Sequence, residues 1–206
     1  MEEALSTELK IKEAARKIFL QKGYAATRIR DISEAAGINL ALLNYYYRSK
    51  EKLFEEVMME SVQQIFAWAT TLANDRTTSL SEKIDDLIAH YIDLILENPN
   101  LPVFILSEIQ SNPQRFSQKI GLPSGFLNRS YFFEQLTAQA QKAGLSDTGA
   151  LHSLLNALSM AIFPFAARPL WQRVTEMDDK GFYDFCQERK VLVPAWLKMM
   201  LKMDAK

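Results

Sequence analysis

The side chains best equipped for chemistry in this chain are amides, phenols and cations, and they crowd into one stretch. After Gly37 the sequence runs through Asn39, Leu40, Ala41, Leu43, Asn44, Tyr45, Tyr46 and Tyr47. With Leu43 and Tyr47 turned inward on a short helix, Asn39, Leu40, Ala41, Asn44 and Tyr45 face out. Exposed leucine and tyrosine cost solubility unless they meet a surface. The major groove of duplex DNA is such a surface: Asn44 can pair bidentately with adenine, and Leu40 or Ala41 can touch thymine methyls. Arg28 can reach a phosphate or a guanine edge. Tyr45 and Tyr46 can donate hydroxyls to phosphates, and Lys50 stands in the first turn of the next helix, whose free amides attract a phosphate. Thr27, a candidate cap of the preceding helix, completes this set of expected DNA contacts.

Other chemistries find little support. A single cysteine, Cys186, excludes a disulfide framework and a Cys-rich metal site, and reads as a buried small hydrophobe. His90 and His152 stand far apart, and Ser107 and Glu108 have no nucleophile context. The expectation is a protein that is not an enzyme and needs no metal or cofactor.

The chain has 206 residues, 48% hydrophobic and 24% charged, which is globular composition. Its 24 basic and 25 acidic residues leave a net charge of −1, so any nucleic-acid site must be local. Residues 9–54 hold ten basic and four acidic side chains, a local charge of +6 against −7 for the remainder. A basic module on an acidic body suggests that only the first part meets a polyanion. The opening MEEALSTELK has no signal-peptide character, and no uncharged apolar run of about 18 residues stands out as a membrane span. A cytoplasmic setting without membrane contact is expected.

The elements that must position these residues are helical almost throughout. Ile11, Ala14, Ala15 and Ile18 share one face of a first helix that stops at Gly23. A second runs to Ala36, where Gly37 supplies a left-handed turn. Asn39 caps a third, Leu40 to Tyr47, and Ser49 a fourth that continues to Ala73. Ser79 and Glu82 form a capping box at the start of a helix over 80–97. Further helices are expected near 101–111, 126–143, 147–168 and 182–202, the last interrupted near Pro194. The fold class is all-α with about nine helices: a headpiece over 1–50 and a larger bundle over 51–206.

Residues 9–57 resemble the DNA-binding domain of the TetR family of bacterial transcriptional regulators. Three runs carry the resemblance: F-x-x-K-G-Y-x-A-T from Phe19 to Thr27, D-I-x-x-A-A-G from Asp31 to Gly37, and Y-Y-x-S-K-E-x-L from Tyr46 to Leu53. The chain departs from the family pattern at Leu40, Ala41, Asn44 and Lys52, positions that bear on operator sequence. The resemblance implies a helix-turn-helix headpiece, an apolar ligand cavity in the second bundle, and dimerisation through the last two long helices. Phe66, His90, Phe104, Phe126, Phe133 and Phe163 are the expected ligand contacts, for a small hydrophobic effector. Each of them also reads as ordinary core or surface.

The last two long helices carry more apolar residues than one bundle needs. Leu154, Leu158, Ile162 and Phe165 on one, with Leu192, Trp196 and Met199 on the other, are the expected seam of a homodimer, with intrachain core as the alternative. Two copies would let the reading helices meet two half-sites. The function expected is a ligand-responsive regulator, a repressor, on a palindromic operator. The alternatives are an effector-independent DNA-binding dimer and an all-α ligand-binding protein that does not bind DNA.

Overall fold

The computed structural model describes residues 2–203, with side chains from Ser6 onward. Twelve helices and no strand are found among the described residues. They pack into two compact units, one of residues 1–65 with 98–120, the other of 66–97 with 121–206.

The first unit holds α1 (Glu2–Ala26), α2 (Ile29–Ala35), α3 (Leu40–Tyr46), the first part of α4 (Lys50–Asn74), α6 (Leu101–Ser111) and α7 (Pro113–Lys119). Gly23, at φ 73° and ψ 164°, breaks α1 where the sequence places its stop. Ile11, Ala15, Phe19, Ile32, Leu43, Leu53 and Val57 are at most 1% exposed and form the core around which the short helices fold.

The second unit holds the remainder of α4, α5 (Leu80–Glu97), α8 (Phe126–Arg129), α9 (Tyr131–Lys142), α10 (Gly149–Ala166), α11 (Arg168–Thr175) and α12 (Asp179–Met200). Ile84, Ile88, Ile92 and Ile95 of α5 pack with Ala157 and Ala161 of α10 and with Cys186, Val193 and Leu197 of α12. Small residues on the inner face of α10 let neighbouring helices approach. Burial pushes the Cys186 thiol up to about 11, so it is inert at neutral pH. By length and composition alone α10 could cross a membrane, yet its inner face is part of this core.

Twelve helices replace the nine expected: prolines start two of the additional ones, and the extended backbone of Ser130 splits the helix expected over 126–143 into α8 and α9. Pro113 is the first residue of α7, capped by Asn112 accepting from the Arg115 amide at 2.9 Å, and Pro169 lies in the first turn of α11. At that position proline lacks only an amide that the helix would leave unpaired. Conversely, Pro194 does not interrupt α12, which is held on both sides by buried Val193 and Leu197. That helix also begins earlier than expected, capped by Asp178, which accepts from the Gly181 amide at 2.7 Å.

Lys83 is wholly buried. Its Nζ donates to the Asp75 carbonyl and to Gln135 Oε1 at 3.0 Å, and lies 4.5 Å from the Tyr131 ring centroid. Burial lowers its pKa, partly offset by the Asp75 charge.

Tyr91 of α5 is affected in the opposite sense by the same cause, its phenol pushed up to about 12. The unfolded chain ionises Tyr91 near pH 10 while the folded one holds the proton, so this residue's contribution to stability is lost as pH rises from about 10 to 12. A Tyr91→Phe variant is expected to show a shallower loss over that range, measured as urea midpoints at stepped pH.

Candidate nucleic-acid interface

The turn between α2 and α3 is fixed by its backbone. The Ile38 amide donates to the Ser33 carbonyl at 3.0 Å and the Gly37 amide to Glu34 at 3.1 Å, with Gly37 at φ 67°. This is the Schellman arrangement, and the left-handed φ is why glycine stands there. Asn39 then caps α3, its Oδ1 accepting from the Leu42 amide at 2.8 Å.

Leu43 and Tyr47 are buried, as the spacing requires. Ala41, Asn44 and Tyr45 are exposed, Tyr45 by 82%. Asn39 is exposed with its amide nitrogen still able to donate, and Leu40 is half-buried. Tyr46 is half-buried and meets Tyr45 edge to face at 5.5 Å. Leu42, which the sequence reading does not place outward, is also exposed and widens this face. A helical wheel starting from Leu43 would have placed it at the margin.

Two expected contacts are engaged elsewhere. Thr27 is 2% exposed, and its hydroxyl donates to the Gly23 carbonyl at 2.7 Å rather than capping α2. The cap position belongs to Arg28, whose amide donates to Asp31 Oδ2 at 2.9 Å. That bond, with Lys22 at 3.2 Å, holds the Asp31 carboxyl below the usual range. The Arg28 side chain is exposed. Lys50 is a clamp: its Nζ donates to the Tyr24 carbonyl at 2.8 Å and the Thr27 carbonyl at 3.0 Å, over the Tyr24 ring. A phosphate can claim only its third N–H. Charge is likewise partly consumed. Lys12 pairs with Glu8 and Glu60 at 3.0 and 2.8 Å, and Arg16 with Glu60 at 3.2 Å.

The residues expected to line a ligand cavity do not share one surrounding. Phe104 packs in the first unit, 6.0 Å edge to face from Phe54, because α6 belongs there and not to the second bundle. Phe66, Phe126 and Phe133 are half-buried in the second unit. His90 is exposed and stacked on Trp68 at 3.8 Å, and Phe163 is 64% exposed. Neither is enclosed. A groove of about 440 Å³ lies on the first unit instead, with Met59 flanked by Glu55, Glu56, Glu60, Lys52, Arg115 and Lys119, a charged lining rather than an apolar one.

The expected seam residues divide. Phe165 is buried core, in edge-to-face contact with Phe182. Leu154 and Ile162 are half-buried. Leu158, Leu192, Trp196 and Met199 are exposed, with Leu151, Leu155 and Val191 beside them on the same two helices.

A helix-turn-helix with a polar and aromatic outer face is the arrangement with which regulators of transcription enter the major groove. Residues 11–57 match the family described as "Bacterial regulatory proteins, tetR family". The "Probable HTH-type transcriptional regulator YttP" of Bacillus subtilis is 25% identical over 163 residues, 78% of either chain. The "HTH-type transcriptional repressor KstR2" of Mycolicibacterium smegmatis is 30% identical over 117 residues, half of this chain and 57% of that one. The fold is shared with the TetR family regulator PfmR of Thermus thermophilus, at a TM-score of 0.57 and 21% identity over 95% of this chain and 99% of that one. Over residues 11–57 the chain is thus similar to the TetR family of bacterial regulatory proteins, and its fold is that of a solved member of that family.

Proposed function

We propose that the chain is a ligand-responsive repressor that binds a palindromic operator as a homodimer. The observation that carries this reading is the outer face of α3, where Ala41, Asn44 and Tyr45 are exposed beside exposed Arg28. The relative KstR2 is likewise a transcriptional repressor. Residues 1–50 read DNA, and residues 51–206 bind effector and partner. The exposed leucines of α10, with Trp196 and Met199 of α12, form the seam. A duplex partner implies a cytoplasmic location.

Effector control runs through helices that touch the headpiece. The 25-residue α4 has residues in both compact units, and its Lys50 and Phe54 hold the chain between α1 and α2. Phe104 of α6 packs on Phe54. A small hydrophobic effector that binds one setting of these helices more tightly shifts the dimer away from the spacing its operator needs.

Selection of bound fragments from genomic DNA identifies the operator, and titration against it tests the residues. Arg28→Ala is expected to weaken binding to all sequences and to reduce the slope of log affinity against log salt by about one. Asn44→Ala is expected to lose about 1–3 kcal/mol of discrimination at one base position. Equal binding by both variants and the parent would show that this face does not read DNA.

A further inference from the structure

Pro164 sits inside α10, two residues before its end. Proline has no amide hydrogen, so the carbonyl four residues earlier, that of Met160, is denied its helical partner and is pushed outward by the ring. A carbonyl left so beside the core would be costly. Arg189 of α12 supplies the missing donor: its Nη2 donates to the Met160 carbonyl at 2.6 Å. The guanidinium is steered there by two rings of its own helix, 5.5 Å from the Phe185 centroid and 5.7 Å from that of Trp196. Its Nε is buried without a hydrogen-bond partner. Lysine could not bridge both rings and carbonyl with one planar group.

We infer that Arg189 is a positioning residue of the dimer face: it takes the place of the hydrogen bond Pro164 removes and thereby fixes α10 against α12. The inference rests on the proposal that these two helices form the seam. Leu158 and Ile162 flank Met160 in the chain, and Trp196 is both a seam residue and one of the two rings. The register of the exposed apolar surface is therefore set in part by this cross-helix bond, beside the weaker one from Asn156 Nδ2 to Met200 Sδ at 3.6 Å and the core packing of the two helices. Loss of the donor lets the proline-bent end of α10 slide, and the two halves of the surface cease to present one shape to a second copy.

The test is sedimentation equilibrium of the full chain in four forms: parent, Arg189→Met, Pro164→Ala and the double variant. Arg189→Met is expected to weaken self-association at least tenfold. Pro164→Ala returns an amide to α10, so the double variant is expected to recover most of that loss, a rescue that general loss of packing would not give. Dimerisation of Arg189→Met at parental strength overturns the inference, as does a double variant no better than Arg189→Met alone. Should Arg189→Met not fold, the double variant is still expected to fold and dimerise, and its failure to do so is equally decisive against the inference. A parent that is monomeric throughout overturns the dimer reading itself, and is distinguished from the other results by the parent alone.

Discussion

A chain carrying Leu155→Glu and Met199→Glu is expected to sediment as a monomer and to lose at least about 100-fold in operator affinity. Leu155 and Met199 are 61% and 73% exposed, so a charge at either place costs the lone chain little. Between two copies the same carboxylates would be buried without partners, which an apolar seam does not tolerate. The DNA consequence is larger than any single base contact, because a tethered second headpiece binds at high effective concentration and adds about 10²- to 10⁴-fold. Headpiece chemistry is untouched, so weak, salt-sensitive binding to any duplex should persist. A double variant that still sediments as a dimer would move the seam elsewhere.

Lys83→Met is expected to cost about 3 kcal/mol of folding stability, seen as a lowered urea midpoint. The methionine fills the space but leaves the Asp75 carbonyl and the Gln135 amide oxygen without their donor, each worth about 1–3 kcal/mol when buried. The substitution also removes a cation from the Tyr131 face. A pH signature accompanies it. Because the folded chain holds the Lys83 proton less tightly than the unfolded one, stability gains from this group as pH rises toward 10.5, the reverse of the Tyr91 trend. The variant should lack that gain. A variant as stable as the parent would mean the loop at Asp75 finds its hydrogen bonds in water.

These residues mark where sequence reading succeeds. Asn39, Gly37 and the Ser79–Glu82 box act on backbone within three or four positions, so their roles follow from spacing alone, and each is found as expected. The outward set on α3 was legible for the same reason, given one inward leucine. Thr27, Lys50, Lys83 and Arg189 were not, because each answers a carbonyl whose position only the folded chain defines. Lys50 donates across 26 positions and Arg189 across 29. The surroundings of Phe104 are not legible either, because chain order places α6 after α5 whereas it packs within the first unit, against Phe54. The starts of α7 at Pro113 and α11 at Pro169 are not legible in sequence, since a proline that ends one helix and a proline that opens the next leave the same local signature.

The division of labour in the headpiece bears on how such a protein changes its target. Leu43, Tyr47 and Lys50 hold the scaffold, whereas Ala41, Asn44 and Tyr45 are exposed and outside the core, Tyr45 touching the ring of neighbouring Tyr46. Letters can therefore be exchanged on α3 with almost no penalty in folding, and a mutational library confined to those three codons would sample new target sites while nearly every member remained soluble and intact.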